Sequence, residues 1–330
     1  MLEDKIEFYK ENGQMLHNTP AQYKDEFPFL REVDSRALCN AQMDLETAFK
    51  NFFRGKKIGF PKWKSSKKSK MAYKTNNINN SIRIENGKLR LPKIGLLEVV
   101  FHQYIPNNHK IKSVTFEKKP SGKYYVSILT EYETEIPQPT LNKDNAIGLD
   151  YSSPDFYVDS QNKSPDRPKF FRLAENKLAK EQRKLSHMKF GSNNYQNQKL
   201  KVARLHEKIA NQRKDWIENV STKLSNTYDY VFVENIDMKS LSQTLKLGKS
   251  TMDNGFGFFR QRLETKMLER GKVFAKINRW FPSSKTCRFC GCINKDLKLS
   301  DRIWVCECGA IIERDYNAAL NILHEGLNSL

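Results

Sequence analysis

Apolar residues along this chain change their period several times, and each change marks an element. After Asp34, the positions Leu38, Ala41, Leu45, Ala48, Phe49 and Phe52 share one helical face, predicting an amphipathic helix within a helical segment over residues 1–53. Strand signals begin at Ser81. Ser81–Ile84 and Lys88–Leu91 flank Asn86-Gly87, a dipeptide suited to a tight hairpin turn. Leu96–Phe101, Ile111–Lys118 and Lys123–Thr130 follow, the last two joined through Pro120-Ser121-Gly122. Short strands with tight turns predict a small antiparallel β-barrel of the oligonucleotide-binding type over 75–140, ending in a Pro-containing linker, Ile136–Asn145.

Beyond the linker the pattern becomes α/β. Ala146-Ile147-Gly148-Leu149 is an apolar run that ends in Asp150, and Phe156–Ser160 reads as a second strand after a Pro154-Asp155 turn. Tyr228–Glu234 is a continuous apolar strand, of the kind that is buried on both faces, ending in Glu234. Between them, residues 171–227 predict two long helices around Gly191-Ser192-Asn193-Asn194, with Val202, Leu205, Ile209, Trp216, Val220 and Leu224 on the inner face of the second. Phe256–Glu269 is helical and Lys272–Arg279 a further strand. The polar stretch Asp237–Asp253 carries Met238, Leu241, Leu245 and Leu247, which could pack as a lid.

Charge changes the picture. Lys and Arg number 57 against 38 acids, a formal net charge of +19, and an imbalance of that size implies a polyanionic partner. From Arg54 to Lys74 there are nine Lys or Arg and no acid, with Phe60, Trp63 and Tyr73 interleaved. Arg54, Lys56, Lys57, Lys62, Trp63, Lys64, Lys67, Lys68 and Lys70 are the candidate nucleic-acid contacts, the bases for phosphate and the ring for stacking, in a segment expected to order on nucleic acid. A disordered basic linker is the plainer alternative. Residues 172–214 hold twelve Lys or Arg against three Glu, which favours a backbone-tracking groove on the helical hairpin over a merely solvated one. No apolar run approaches the ~20 residues of a membrane span, and the N-terminus lacks a hydrophobic signal core, so a cytoplasmic protein of the bacterial nucleoid is expected.

Five of the six cysteines crowd the C-terminal region. Cys287 and Cys290 are two residues apart, Cys306 and Cys308 one apart, with fifteen residues between the pairs. Two tight pairs brought together by a hairpin suit one tetrahedral Zn²⁺; two disulfides would suit a secreted chain, which nothing else here resembles. Cys292 makes the first cluster C-x-x-C-x-C and leaves ligand choice there open. Cys39 stands alone in an amphipathic stretch and is expected to be a buried apolar residue. The six histidines include no His-x-His pair, which argues against strand transfer by a tyrosine transposase.

After the second pair, Glu313–Leu323 predicts a helix with Ala318, Ala319, Ile322 and Leu323 as its packing face and Asp315 in its first turn. Alone, Asp315 would be a helix cap. With Asp150 and Glu234 at the ends of two central strands, the three acids instead describe a ribonuclease-H-like arrangement, whose chemistry is phosphodiester hydrolysis by two divalent metals.

The GLD and VFVEN strands, PSSKTC before the ribbon and ERDYNAALNIL after it resemble the RuvC nuclease of the TnpB (OrfB-type) family, transposon-encoded RNA-guided DNA endonucleases related to compact type V CRISPR effectors. The resemblance runs from about Phe27 to Leu323. It implies a multidomain α+β chain. Residues 1–74 would be a helical recognition-like lobe, with the basic segment at 54–74, and residues 75–140 a wedge barrel. A RuvC-like α/β nuclease would span 141–285, with its helical hairpin at 171–227. A zinc ribbon at 286–309 would be inserted before the last nuclease helix at 310–330. The resemblance also implies Asp150, Glu234 and Asp315 as catalytic ligands of two Mg²⁺ or Mn²⁺, and Cys287, Cys290, Cys306 and Cys308 as ligands of one structural Zn²⁺. A guide RNA, and target DNA bearing a short flanking motif, are the implied partners. The final C-x-C departs from the commoner C-x-x-C. Members usually begin with a further strand and helix, so the chain is expected to be an N-terminally shortened copy with an unclosed barrel and weak guided cleavage. The rival expectations are an RNA-guided DNA-binding repressor and a transposition accessory without cleavage of its own.

Overall fold

The computed structural model describes residues 1–55, 58–65, 69–237, 255–298 and 300–330. The chain divides into two compact units, Met1–Thr134 and Glu135–Leu330. The expected lid residues Met238, Leu241, Leu245 and Leu247 lie outside the described residues. No helix among those residues is long and apolar enough to cross a membrane.

The first unit opens with α1 (Leu2–Asn12), closed by Gly13 in the left-handed region. Helix α2 (Ser35–Arg54) starts at Asp34, whose carboxylate accepts from the N–H of Arg36 and also from the hydroxyl of Thr75. Six strands follow: β1 (Met71–Asn76), β2 (Arg83–Glu85), β3 (Lys88–Leu91), β4 (Gly95–Glu98), β5 (Lys110–Lys118) and β6 (Tyr124–Glu131). Asn86 and Gly87, with φ of 50° and 73°, make the expected hairpin turn between β2 and β3.

Three features of this unit correct the reading of the sequence. The strands hydrogen-bond into two three-stranded antiparallel sheets, β1-β5-β6 and β2-β3-β4, in place of one barrel; they share a core of Ile82, Leu89, Leu91 and Val114. Strand β1 begins inside the supposedly unstructured basic segment and crosses the expected boundary at residue 74. Its polar sequence hid it, because only Thr75 is buried, while the ladder to β5 and the Asn40 amide bond to the Lys74 carbonyl (2.7 Å) hold the backbone. Cys39 is exposed, not buried: at about 100° per residue it is turned off the stripe that runs through Leu38 and Phe49.

The second unit is built on a four-stranded sheet in the order β10-β9-β7-β8, comprising β7 (Ala146–Ser152), β8 (Phe156–Asp159), β9 (Tyr230–Val233) and β10 (Val273–Lys276). β7, β9 and β10 are parallel, and β8 is an antiparallel edge. Helices α3 (Phe170–Ser186) and α4 (Asn193–Thr227) form the hairpin after β8, and α5 (Phe256–Glu269) precedes β10. A two-stranded ribbon, β11 (Ile303–Val305) with β12 (Ile311–Glu313), leads into α6 (Arg314–Asn328).

Strand β9 is buried throughout because both faces of the sheet are covered. Val231 and Val233 join Ile147, Leu149, Phe259 and Leu263 in one core, while Tyr230 and Phe232 join Ile277 and Ile322 in the other. Helix α4 is tied to α5 by the buried Lys266, whose ammonium donates to Ser221 Oγ (2.8 Å) and Thr222 Oγ1 (2.7 Å) and pairs with Glu218 (2.8 Å).

Helix α6 approaches the sheet unusually closely. A Cβ on Gly148 would lie 2.3 Å from the carbonyl oxygen of Ala319 and 2.7 Å from the amide nitrogen of Leu323. A Cβ on Gly326 would likewise lie 2.2 Å from the ring of Phe232. Gly148→Ala should therefore destabilise the protein by about 1–3 kcal/mol through overpacking. Gly59→Ala, whose Cβ meets nothing within 4 Å, should leave the thermal melt unchanged; equal melting temperatures for the two variants would contradict this packing.

Candidate active site and metal centre

Strand register brings the expected acids to one face. In the parallel pair β7/β9, Gly148 lies opposite Phe232 and Leu149 opposite Val233. Side chains alternate along a strand, so Asp150 shares the face of Gly148, and Glu234 that of Phe232. That is the face on which α6 packs, and Asp315 lies in the first turn of α6. All three acids line one cavity of about 920 Å³, together with Ser283, Lys285, Lys298, Arg302 and Arg314. A second cavity, of about 830 Å³, belongs to the first unit and has no acidic residue in its wall, so the carboxylate chemistry lies in the former.

The acids differ in their surroundings. Asp150 is buried, and that burial, with repulsion from Glu234 and Asp315, pushes its carboxyl well above the usual range despite the counteracting charges of Arg314 and Arg302. Burial also raises Glu234; the Ser283 hydroxyl, which donates to its carboxylate, counteracts this, and repulsion from Asp315 adds to the rise. Asp315 is flanked by two guanidiniums, Arg302 at 2.6 Å and Arg314 at 2.8 Å. The three acids offer carboxylate oxygens to the cavity, a donor type that fits hard divalent cations.

The thiols converge more tightly. The ligand atoms of Cys287, Cys290, Cys306 and Cys308 all lie within 4.8 Å of one another, the one such group among the described residues. Cys287 and Cys308 are 3.8 Å apart at sulfur, Cys290 and Cys306 3.5 Å. A tetrahedral ion with metal–sulfur bonds of about 2.3 Å needs sulfurs about 3.8 Å apart, so the set can hold a metal ion, and the C-x-C spacing of the second pair does not prevent it. Burial pushes the Cys287 thiol up, but backbone N–H groups at Cys290 and Phe289 and the neighbouring thiols outweigh it and bring it down to about 7, while the thiols of Cys290 and Cys306 in the same cluster are pushed up. Cys292 stays outside the group and is exposed; its carbonyl accepts from the N–H of Cys287 (2.9 Å).

The basic residues named from the sequence belong to the first unit. Arg54, Lys62, Trp63, Lys64 and Lys70 are exposed there, and Lys70 pairs with Glu117 at 3.1 Å. Lys56, Lys57, Lys67 and Lys68 lie outside the described residues.

Comparison with known proteins fits this arrangement. Residues 127–245 match the IS605 OrfB family, described as "Probable transposase", and residues 256–322 match the "Cas12f1-like, TNB domain" family. A protein of Streptomyces pristinaespiralis named "Putative RNA-guided DNA endonuclease" is 35% identical over 92% of this chain and 74% of its own length. The chain belongs to the TnpB (OrfB) family. InsQ of Escherichia coli (strain K12), which carries the same description, is 30% identical over 91% of this chain and 77% of its own. A Cas12f1–sgRNA–target DNA complex gives a TM-score of 0.53 at 15% identity, covering 96% of this chain and 77% of that one, a likeness of fold.

Several residues that build this cavity have no role in the reading of the sequence alone. Asn317 and Asn321 of α6, one turn apart and buried, hold the loop that follows β10. The Asn317 amide donates to the Thr286 carbonyl (2.8 Å), and that of Asn321 to the carbonyls of Ser283 (2.8 Å) and Thr286 (2.7 Å). Ser283, at Glu234, is thereby fixed to the helix that carries Asp315. Arg260 of α5 donates to the carbonyls of Glu234 (3.2 Å) and Ile236 (2.8 Å). Two Asn at i, i+4 among apolar positions were a legible signal of buried backbone contacts, and Ser283 lies in the PSSKTC stretch, though with no role assigned to it; nothing local marks Arg260 or Arg302.

A carboxyl whose folded pKa is raised leaves the folded state holding a proton that the unfolded chain releases. Its stabilising contribution is complete below the ordinary Asp value of about 3.9 and is lost as pH rises through the raised folded value. Without divalent metal at neutral pH, Asp150→Asn should therefore melt above the wild type, and the gap should close towards pH 4. Parallel melting-temperature profiles against pH would contradict the burial of this charge.

Proposed function

We propose that the protein is an RNA-guided, metal-dependent DNA endonuclease encoded by an insertion-sequence transposon. Its second unit would be a RuvC-type nuclease of ribonuclease-H-like architecture carrying an inserted zinc ribbon. The observation that carries the reading is the meeting of Asp150, Glu234 and Asp315 on one face of the sheet, in one cavity. The descriptions of the Streptomyces and Escherichia coli relatives support guided DNA cleavage, and the Cas12f1 complex supports guide RNA and target DNA as partners. A short flanking motif read on the DNA is part of the proposal.

Asp150, Glu234 and Asp315 would hold two Mg²⁺ or Mn²⁺, which supply activation of the attacking water and stabilisation of the leaving 3′ oxygen. The chain's own groups prepare the site. The Ser283 hydroxyl orients the Glu234 carboxylate, and Arg260 fixes the backbone just beyond β9. Lys285 and Lys298 in the cavity wall attract the phosphodiester, while Arg302 and Arg314 hold Asp315. The four thiolates would bind one Zn²⁺ as a closed structural site with no open position for substrate. Arg54, Lys62, Trp63, Lys64 and Lys70, with Lys56, Lys57, Lys67 and Lys68, would contact nucleic acid. A second reading, guided DNA binding without cleavage, draws on the engagement of Asp315 by two arginines.

Cleavage of a guide-matched plasmid separates the two readings. Asp150→Ala, Glu234→Ala and Asp315→Ala should each reduce cutting by roughly 10³-fold or more, a loss of several kcal/mol of transition-state stabilisation, while leaving DNA binding intact. Asp155→Ala should cut nearly as the wild type does. Full cutting by Glu234→Ala would sink the mechanism, and no cutting by the wild type would favour the binding-only reading. Elemental analysis should find one zinc per chain, kept in Cys292→Ser and lost in Cys306→Ser; loss in Cys292→Ser would reassign the ligands.

A further inference from the structure

Between β10 and the loop that supports Glu234, the chain reads Asn278-Arg279-Trp280-Phe281. Phe281 turns inward, against the core formed with Tyr230, Phe232 and Ile322, and lines the acidic cavity. Its neighbour Trp280 turns outward and is 82% exposed. An indole this open offers a large apolar π-surface to a partner.

The backbone at Trp280 is fixed. The Asn278 side chain accepts from the Trp280 N–H (3.0 Å), and the Asn278 carbonyl accepts from the Phe281 N–H (3.1 Å). The Arg279 guanidinium lies 5.5 Å from the centre of the indole ring, over one of its faces. With that face occupied by a cation and the ring still largely exposed, the opposite face is open to a planar group. Three residues further on, Ser283 donates to Glu234. A cation-backed aromatic ring on a fixed stretch of backbone thus directly precedes Phe281, which lines the cavity together with the three carboxylates, Lys285, Lys298 and Arg302.

We propose that Trp280 is a stacking platform for one unpaired nucleobase of the strand whose phosphodiester enters the acidic cavity, with Arg279 reinforcing the stack. The inference rests on the nuclease reading above. A base within a duplex has both faces covered by its neighbours, so the platform selects single-stranded substrate. It is indifferent to sequence, because every base offers a π-face. Trp280 is a positioning residue: stacking holds the strand so that the adjacent phosphodiester reaches the carboxylates.

The test uses the full chain and a short single-stranded DNA carrying one 2-aminopurine, whose fluorescence is quenched by stacking, in magnesium-free buffer. Wild type and Trp280→Phe should bind and quench the probe. Trp280→Ala should bind about 5- to 150-fold more weakly and quench little, and Trp280→Leu, apolar but without a π-face, should resemble Ala. All three variants should melt like the wild type, because the ring is exposed. Equal quenching by Trp280→Ala would overturn the platform. Rescue by Leu as good as by Phe would also overturn it, pointing to a protein partner. With guide and magnesium, Trp280→Ala should raise the KM for target DNA and leave kcat nearly unchanged, whereas Asp150→Ala should remove kcat. A wild type that quenches but does not cut would reject the nuclease reading and leave the platform standing.

Discussion

The close seat of α6 against β7 is the constraint on which the second unit depends. Helix and strand approach to the point where no Cβ fits at Gly148, and Gly326 lies against the Phe232 ring in the same way. Two absent side chains, one on a strand and one on a helix, bring α6 down onto the sheet. Because Asp150 shares the face of Gly148 and Glu234 that of Phe232, the same contact sets the first turn of α6, with Asp315, against them. An added methyl would push the helix away and open the site together with the core.

That arrangement gathers three carboxylates in one cavity. Burial raises the carboxyls of Asp150 and Glu234, with repulsion from Glu234 and Asp315 adding to the first and from Asp315 to the second, a strain that a bound cation would relieve. The fold offsets part of it with Ser283 at Glu234 and two arginines at Asp315. The result is a cavity less stable without a cation than a neutral one would be.

The cysteine cluster acts on the same helix from the other side. The N–H of Arg288, just after Cys287, donates to Asn317 Oδ1 (3.1 Å), and Asn317 and Asn321 hold the carbonyls of Ser283 and Thr286. A chain of side-chain-to-backbone hydrogen bonds therefore runs from the cysteine cluster through α6 to the serine that donates to Glu234. Folding the knuckle around a metal would steady both the loop and the helix. It would thus influence the carboxylates without touching them.

Much of this was legible in the sequence. The apolar runs ending in Asp150 and Glu234, the acid at the start of the last helix and the paired cysteines are local patterns, and local patterns suffice for strand, helix and ligand spacing. Asn86-Gly87 likewise specified its hairpin, because two successive positive φ angles leave few other residues. What the sequence could not determine depended on contacts between distant segments. Strand β1 is hidden in a polar, basic stretch because its partner β5, far along the chain, completes its ladder. The grouping of six strands into two sheets, and the exposure of Cys39, follow from which faces pack on which. Arg260, Arg302 and the outward turn of Trp280 carry no local signature at all, and the PSSKTC stretch does not reveal what Ser283 touches. Their roles arise only when the register of parallel strands and the close approach of α6 bring separate loops to one end of the sheet.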